Sequence, residues 1–205
     1  MDRYLTGGTL WPDGWTKLRV DFVPRLPEIK PVTDAYRPVL TRFGFVSPVK
    51  DEWLHETLAV VDDRPAREVT GPELALFESR LRERLGGLPA FTVTVGGAVA
   101  GRRGVLLDLA PDTEFVELRH QARDAVVEVF GEEADDYEEE RPRVALAYGT
   151  ASGDSRLLQG RLRSATAQRA TLTVDGVRLV EAVQDRKRHE IRWQELAFVP
   201  LGGAG

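Results

Sequence analysis

The sequence predicts an α+β fold, and three observations carry that prediction. Short stretches alternate apolar and polar residues with a period of two, most sharply at 53–60 and 143–149. Other stretches repeat apolar residues every three or four positions between recognisable caps. Glycine turns join neighbouring strands where a parallel sheet would need long crossovers. The resulting order is β-α-β-α-β-β-α-β-α-β-β-β, helices interspersed with antiparallel hairpins, which suits two sheets from two related halves. At 205 residues with 42% hydrophobic content, the chain can bury a sizeable core, as one domain or two small lobes sharing it.

Composition narrows the function classes. No cysteine occurs, which excludes disulfides, thiolate metal sites and cysteine nucleophiles. The first residues lack a basic stretch followed by an apolar run, and no segment approaches about 18 consecutive apolar residues. Secretion and membrane spanning are therefore not expected, and a cytoplasmic location is. The net charge of −5 counts against binding a long duplex, which calls for a basic surface. A small phosphoester in a local basic cleft is compatible with it.

Residues 1–16 show little period, and Trp11 and Trp15 are expected to pack an extended arm onto the body. Leu18, Val20 and Phe22 alternate with Arg19, Asp21 and Val23, giving a half-buried strand over 18–23. Pro24, Pro27 and Pro31 end it and keep the link extended. A short helix is expected near 34–42, with Pro38 starting or kinking it. The strand 53–60 follows, bounded by Asp51, Glu52, Asp62 and Asp63. Thr70-Gly71-Pro72-Glu73 has the form of a capping box, Leu74, Phe77, Leu81 and Leu85 form a helical stripe, and Gly86-Gly87 ends it. Arg80, Arg82 and Arg84 read as its solvated face.

Strands are expected at 91–95 and 104–109, with the glycines at 96, 97, 101 and 104 in turns. Their spacing fits neither a Walker nor a Rossmann loop. Asp112 or Thr113 caps a helix whose buried stripe is Phe115, Leu118, Ala122, Ala125 and Val129, and Gly131 ends it. His120 lies off that stripe and reads as a surface residue. The acidic run over 132–140 reads as a self-repelling, solvated loop, without the ligand spacing of an EF-hand. After the strand 143–149, Asp154 or Ser155 starts a helix carrying Leu157, Leu158, Leu162 and Ala165. Strands are expected at 169–174, 177–184 and 189–199, the first two joined by a hairpin at Asp175-Gly176. Asp185-Arg186-Lys187-Arg188 forms the last turn, and His189 beside it is expected to be dispensable.

On the strand 53–60, the period of two puts Trp53, His55, Thr57 and Ala59 on one face. An imidazole and a hydroxyl two residues apart can converge on one anionic group, and histidine suits proton transfer near neutral pH. A strand histidine without chemistry would show the same pattern. The second stretch, Arg141-Pro142-Arg143-Val144-Ala145-Leu146-Ala147-Tyr148-Gly149, has the same rhythm. With the flanks 35–40, 52–55 and 197–202, these residues make nearly the whole chain resemble the two-histidine (2H) phosphoesterase superfamily, in its bacterial 2'-5' RNA ligase-like branch. That family carries two His-x-Thr/Ser tetrapeptides on strands of two lobes. The first stands here as His55-Glu56-Thr57-Leu58. At the second, Arg143 and Ala145 replace the histidine and the hydroxyl.

The resemblance implies a single bilobal domain over 1–205, with two pseudo-symmetric lobes whose antiparallel sheets face a central cleft. It implies opening of a 2',3'-cyclic phosphate or breakage of a 2'-5' linkage, without metal or other cofactor, by a monomer acting on a small nucleotide or RNA end. His55 and Thr57 are then the catalytic candidates, and Arg143 is a phosphate-binding one. Arginine cannot exchange protons near neutrality but grips phosphate through charge and paired hydrogen bonds. Loss of one acid/base costs about 10²–10⁴-fold in rate. Three readings stay open: a phosphoesterase of altered mechanism, a non-catalytic binding protein, or an enzyme of specialised metabolism with His55 as sole acid/base. Glu56 shares a face with Leu54, Leu58 and Val60, so it either reaches the rim or pairs with an arginine. Trp53 and Tyr148 stack a base at the cleft mouth or belong to the core. Arg186 and Arg188 meet phosphate at the rim or stay exposed in their turn.

Overall fold

The computed structural model describes residues 1–6, 10–136, 141–165 and 169–202. Its strands are β1 (Thr16–Phe22), β2 (Val46–Pro48), β3 (Glu56–Val60), β4 (Phe91–Ala100), β5 (Gly104–Ala110), β6 (Arg143–Gly149), β7 (Ala170–Val174), β8 (Gly176–Asp185) and β9 (Glu190–Pro200). Its helices are α1 (Leu26–Leu40), α2 (Gly71–Leu85), α3 (Thr113–Phe130) and α4 (Ser155–Ser164). The strands form two antiparallel sheets, ordered β3-β1-β8-β9 and β2-β6-β5-β4-β7. The fold is α+β, as its alternation of patterns predicts.

Each sheet carries a helix pair: α2 and α3 pack on the first, α1 and α4 on the second. Helix α1 follows a strand of the first sheet yet packs on the second, and α3 does the reverse, so the two layers interlock. Phe115 of α3 shows the result: it is fully buried and meets Phe22 of β1 and Phe91 of β4 edge-on, at 5.5 and 5.4 Å between ring centroids. Such pairs contribute about 0.5–1.5 kcal/mol each beyond the area they bury.

Helix α2 starts as expected, with Thr70 and Glu73 exchanging both hydrogen bonds of a capping box. Helix α4 is capped by the Asp154 carboxylate, which accepts from the Arg156 N–H. Helix α1 corrects the expectation of an extended link followed by a short helix. It runs from Leu26, with Pro27 in the first turn and Pro31 and Pro38 inside. Proline in a first turn removes an N–H that has no partner there in any case. Two interior prolines cost about 3 kcal/mol each. Burial of Ile29, Val32, Tyr36 and Leu40 on one stripe outweighs them at about 1.5–3 kcal/mol per side chain.

Three further expectations change. Asp175-Gly176 does not form a hairpin: β7 pairs with β4 in the second sheet, and β8 pairs with β1 and β9 in the first. Gly176 is there for close approach, because a Cβ would collide with the Phe198 ring and the Val199 carbonyl. Gly96 and Gly97 are not a turn either. Strand β4 runs through them, and both stand opposite Asp108 as a bulge between Val95↔Leu109 and Ala98↔Leu107. In the acidic run, residues 132–134 form a turn with Ala134 buried, and Asp135 pairs with Arg123 at 2.8 Å, so this part is anchored rather than merely solvated. Its residues 137–140 lie outside the described ones. Strand β2 adds to the expected elements; three residues are too few to announce a strand by alternation.

Candidate active site

The tetrapeptide His55-Glu56-Thr57-Leu58 opens β3 rather than lying inside a strand over 53–60. Asp51–Trp53 make a 3-10 turn, and His55 sits just before the first strand residue. Strand β3 pairs with β1 through Asp21↔Thr57 and Val20↔Ala59, so Leu58 is an extra residue, a bulge that resets the alternation. The second tetrapeptide repeats this. Leu106↔Ala145 and Val105↔Ala147 leave Leu146 as the extra residue of β6. The two motifs thus share their backbone irregularity at the same fourth position, and β3 and β6 come within 8 Å of each other in Cα positions.

His55 and Thr57 are only 8% and 9% exposed. His55 Nδ1 lies 2.7 Å from the Trp53 carbonyl oxygen, which can only accept. Nδ1 therefore carries the ring proton of the neutral imidazole, and Nε2 presents its lone pair. Burial pushes the imidazole pKa down to about 4, helped by the Arg19 guanidinium and opposed by the Asp21 carboxylate and the Trp53 carbonyl. The ring is neutral at pH 7, the state of a proton acceptor.

Alternation makes Arg19 and Asp21 the wet face of a half-buried strand, and the structure corrects this. Both are buried, with an Arg19 Nη2–Asp21 Oδ2 ion pair, and Lys17 on the same face is buried against Asp62. Alternation reports which residues leave the apolar side; it cannot report what covers them. Trp53 is half-buried and meets Trp193 of β9 edge-on, at 5.7 Å and 82°. Neither buried indole N–H has an acceptor among the described residues.

Glu56 pairs with an arginine, the second of its two sequence alternatives. Arg119 Nη2 of α3 donates to Glu56 Oε1 at 2.6 Å, with the side chains 6% and 4% exposed. The contact clamps α3 to the motif strand from the side opposite His55. Arg143 is half-buried at the start of β6, across from Asp108. Tyr148 is a core aromatic: it is buried and stacks on Tyr4 at 4.5 Å and 24°, which leaves no face for a base at a cleft mouth. Arg186 is tied to Asp13 at 2.5 Å and to the Trp11 carbonyl, and Arg188 to Asp185 at 3.4 Å. His120 is exposed on α3, 3.9 Å from Asp124, and His189 occupies the β8–β9 turn. Cavities of about 430 and 200 Å³ lie elsewhere, one beside Gly96, Pro111 and Arg169, the other between Trp11, Trp15 and Arg186. No three His, Asp or Glu side chains among the described residues converge as metal ligands. No helix among them is long and apolar enough to cross a membrane.

The fold has clear relatives. TT0787 of Thermus thermophilus superimposes with a TM-score of 0.69 at 20% identity, covering 92% of this chain and all of that one. The apo form of E. coli LigT gives 0.64 at 16% identity, with 91% of this chain and 98% of that chain covered. E. coli LigT complexed with 3'-AMP gives 0.62 at 17% identity over the same shares. At these identities the likeness shows the fold. No curated protein matches the chain in sequence. The family model of the 2'-5' RNA ligase superfamily, however, matches residues 24–186. A match over that much of 205 residues, on this fold, means that the chain belongs to the 2'-5' RNA ligase superfamily.

Proposed function

We propose that the protein binds a nucleotide or RNA-end phosphoester and hydrolyses it with His55 as general base. The observation that carries this is the buried, neutral His55, its Nδ1 fixed by the Trp53 carbonyl and its Nε2 left as acceptor, two residues before Thr57. Superfamily membership supports the substrate class, as do the LigT structures holding 3'-AMP and ATP. Nε2 withdraws a proton from the attacking water as its oxygen bonds to phosphorus. The bond to the departing ribose oxygen breaks, and that oxygen takes a proton from solvent. The Thr57 hydroxyl and the Arg143 guanidinium donate to the phosphoryl oxygens. With no second imidazole, the rate is about 10²–10⁴-fold below that of a two-histidine site. The protein acts in the cytoplasm, as a monomer of one bilobal domain and without a metal.

A second reading, binding without turnover, is favoured by Arg143 and Ala145, which keep a phosphate contact and discard proton transfer. A thermal-shift panel of nucleoside 2'-, 3'- and 2',3'-cyclic phosphates, with product analysis, separates the two. A ligand at a hundredfold its Kd stabilises by about 2.7 kcal/mol, roughly 5–10 °C for a chain of this size. Turnover that His55→Gln abolishes supports hydrolysis. A shift without product selects the binding protein. Silence across the panel refutes both.

A further inference from the structure

The cavity of about 430 Å³ beside Gly96 and Arg169 belongs to a row of residues that runs across the second sheet from Arg143. Asp108 of β5 stands across from Arg143 of β6. On β4 the Gly96-Gly97 bulge faces Asp108, between Val95↔Leu109 and Ala98↔Leu107. Ala170 of β7 stands across from Val95, so Arg169, the residue before it, comes opposite Gly96. The row thus reads cation, carboxylate, two residues without side chains, cation. Three strand spacings separate its ends, about 14 Å between Cα positions. Its open face is the one that carries Thr94, Asp108 and Ala110, all exposed, while Val93, Val95, Leu107 and Leu109 belong to the core. Thr94, Ala110 and Pro111 line the cavity with the two glycines and Arg169. The glycines keep the hollow open: a Cβ on Gly96 would come within 3.3 Å of the Asp108 Cβ.

We propose that this row is a two-phosphate nucleotide site: Arg143 takes the reacting phosphate, the hollow at Gly96-Gly97 takes the nucleoside, and Arg169 takes the phosphate on the nucleoside's other side. The inference rests on Arg143 holding the reacting phosphate, and it narrows the ligand to one whose nucleoside carries a second phosphate, as in an RNA end or a nucleoside bisphosphate. Arg169 is exposed and pairs with no carboxylate among the described residues, so its guanidinium is open to an anion. The cavity has the volume of a small-ligand site. Its glycine, alanine and proline lining offers a nucleoside apolar contact, and Thr94 adds one hydroxyl. Asp108 repels phosphate from the middle of the row and accepts from a sugar hydroxyl, which sets the order phosphate, nucleoside, phosphate. Two arginine side chains of ordinary reach bring the span between the row's ends within the length of one nucleotide.

Binding alone tests the site. Adenosine 3'-phosphate, adenosine 3',5'-bisphosphate and the diribonucleotide ApAp, which ends in a 3'-phosphate, are titrated against the full chain by calorimetry at one salt concentration. Wild type binds the bisphosphate and ApAp about tenfold tighter than adenosine 3'-phosphate, the worth of one charge-assisted hydrogen bond. Arg169→Gln removes that gain and leaves the binding of adenosine 3'-phosphate unchanged. Thr94→Phe, which fills the hollow without changing charge, weakens all three; Ala110→Leu does the same and serves if Thr94→Phe does not fold. A gain with both two-phosphate probes assigns the second phosphate to an RNA end, and a gain with the bisphosphate alone assigns it to a free nucleotide. Equal affinity for the three probes, a gain that survives Arg169→Gln, or a filled hollow that binds as wild type overturns the site. Adenosine 3'-phosphate binding would still leave the proposed function standing. No binding of any probe sinks both.

Discussion

Replacing Arg119 with methionine should destabilise the protein more than any other single change at the motif strand. Its guanidinium lies 2.6 Å from Glu56 Oε1, and both side chains are almost fully buried. The substitution keeps much of the aliphatic volume but takes the guanidinium away from a carboxylate buried beneath β3. Breaking a buried pair in this way costs about 3–5 kcal/mol. For a chain of this length each kcal/mol moves Tm by roughly 2–4 °C, so a fall of about 10 °C or more is expected. The double variant Glu56→Leu/Arg119→Met removes both charges, and such replacements are neutral or stabilising by about 1–4 kcal/mol. Urea denaturation of wild type, both single variants and the double variant supplies the cycle. If the double variant is as unstable as Arg119→Met, the loss comes from packing or from other partners of Arg119 and Glu56, and the buried-pair reasoning fails.

Other outcomes follow from the same geometry. The folded-state pKa of His55 is depressed to about 4 from an ordinary 6.5, so above the ordinary value its contribution is fully present. As pH falls from 6.5 towards 4, the unfolded chain takes up a proton that the folded one refuses, and about 3 kcal/mol of stability is lost. A His55→Gln variant should show a flatter stability profile across that window, measured by denaturation at each pH; an unchanged slope would mean the ring is solvated. His189 holds φ at 54°, where a side chain is strained, so His189→Gly should raise stability by about 0.5–1 kcal/mol without altering any activity. Loss of activity at unchanged Tm would make His189 functional. Because the two motifs share their backbone bulge, Arg143→His with Ala145→Thr should raise 2',3'-cyclic nucleotide hydrolysis by roughly 10²–10⁴-fold, and a folded double variant no faster than wild type would show that more than side chains has diverged.

Much of the fold is legible in the sequence because it rests on local signals. The capping box at Thr70, the stripe Phe115–Leu118–Ala122–Ala125 and the strand alternations each report a nearby constraint. The misses have a common physical origin in long-range packing. Prolines that would halt an isolated helix are carried inside α1 by the core beneath it. Asp175-Gly176 has the composition of a hairpin, yet the strands it joins find better partners in different sheets. Gly96-Gly97 interrupts a pattern, and only the pairing with Asp108 shows a bulge in place of the expected turn.

At the site, the sequence shows which residue types stand at the motif positions but not their surroundings. The paired bulges at Leu58 and Leu146 put the two tetrapeptides in matched settings, and the matched neighbours then differ as the motifs do. Asp21 stands across from Thr57, whereas Leu106 stands across from Ala145. Each lobe has a carboxylate on the strand beside its motif, but at different motif positions: Asp21 stands across from Thr57, and Asp108 across from Arg143. Matched bulges with offset carboxylates make Arg143→His/Ala145→Thr a test of what the neighbours contribute: if the backbone setting alone decides, turnover rises, and if the offset neighbours matter, it does not.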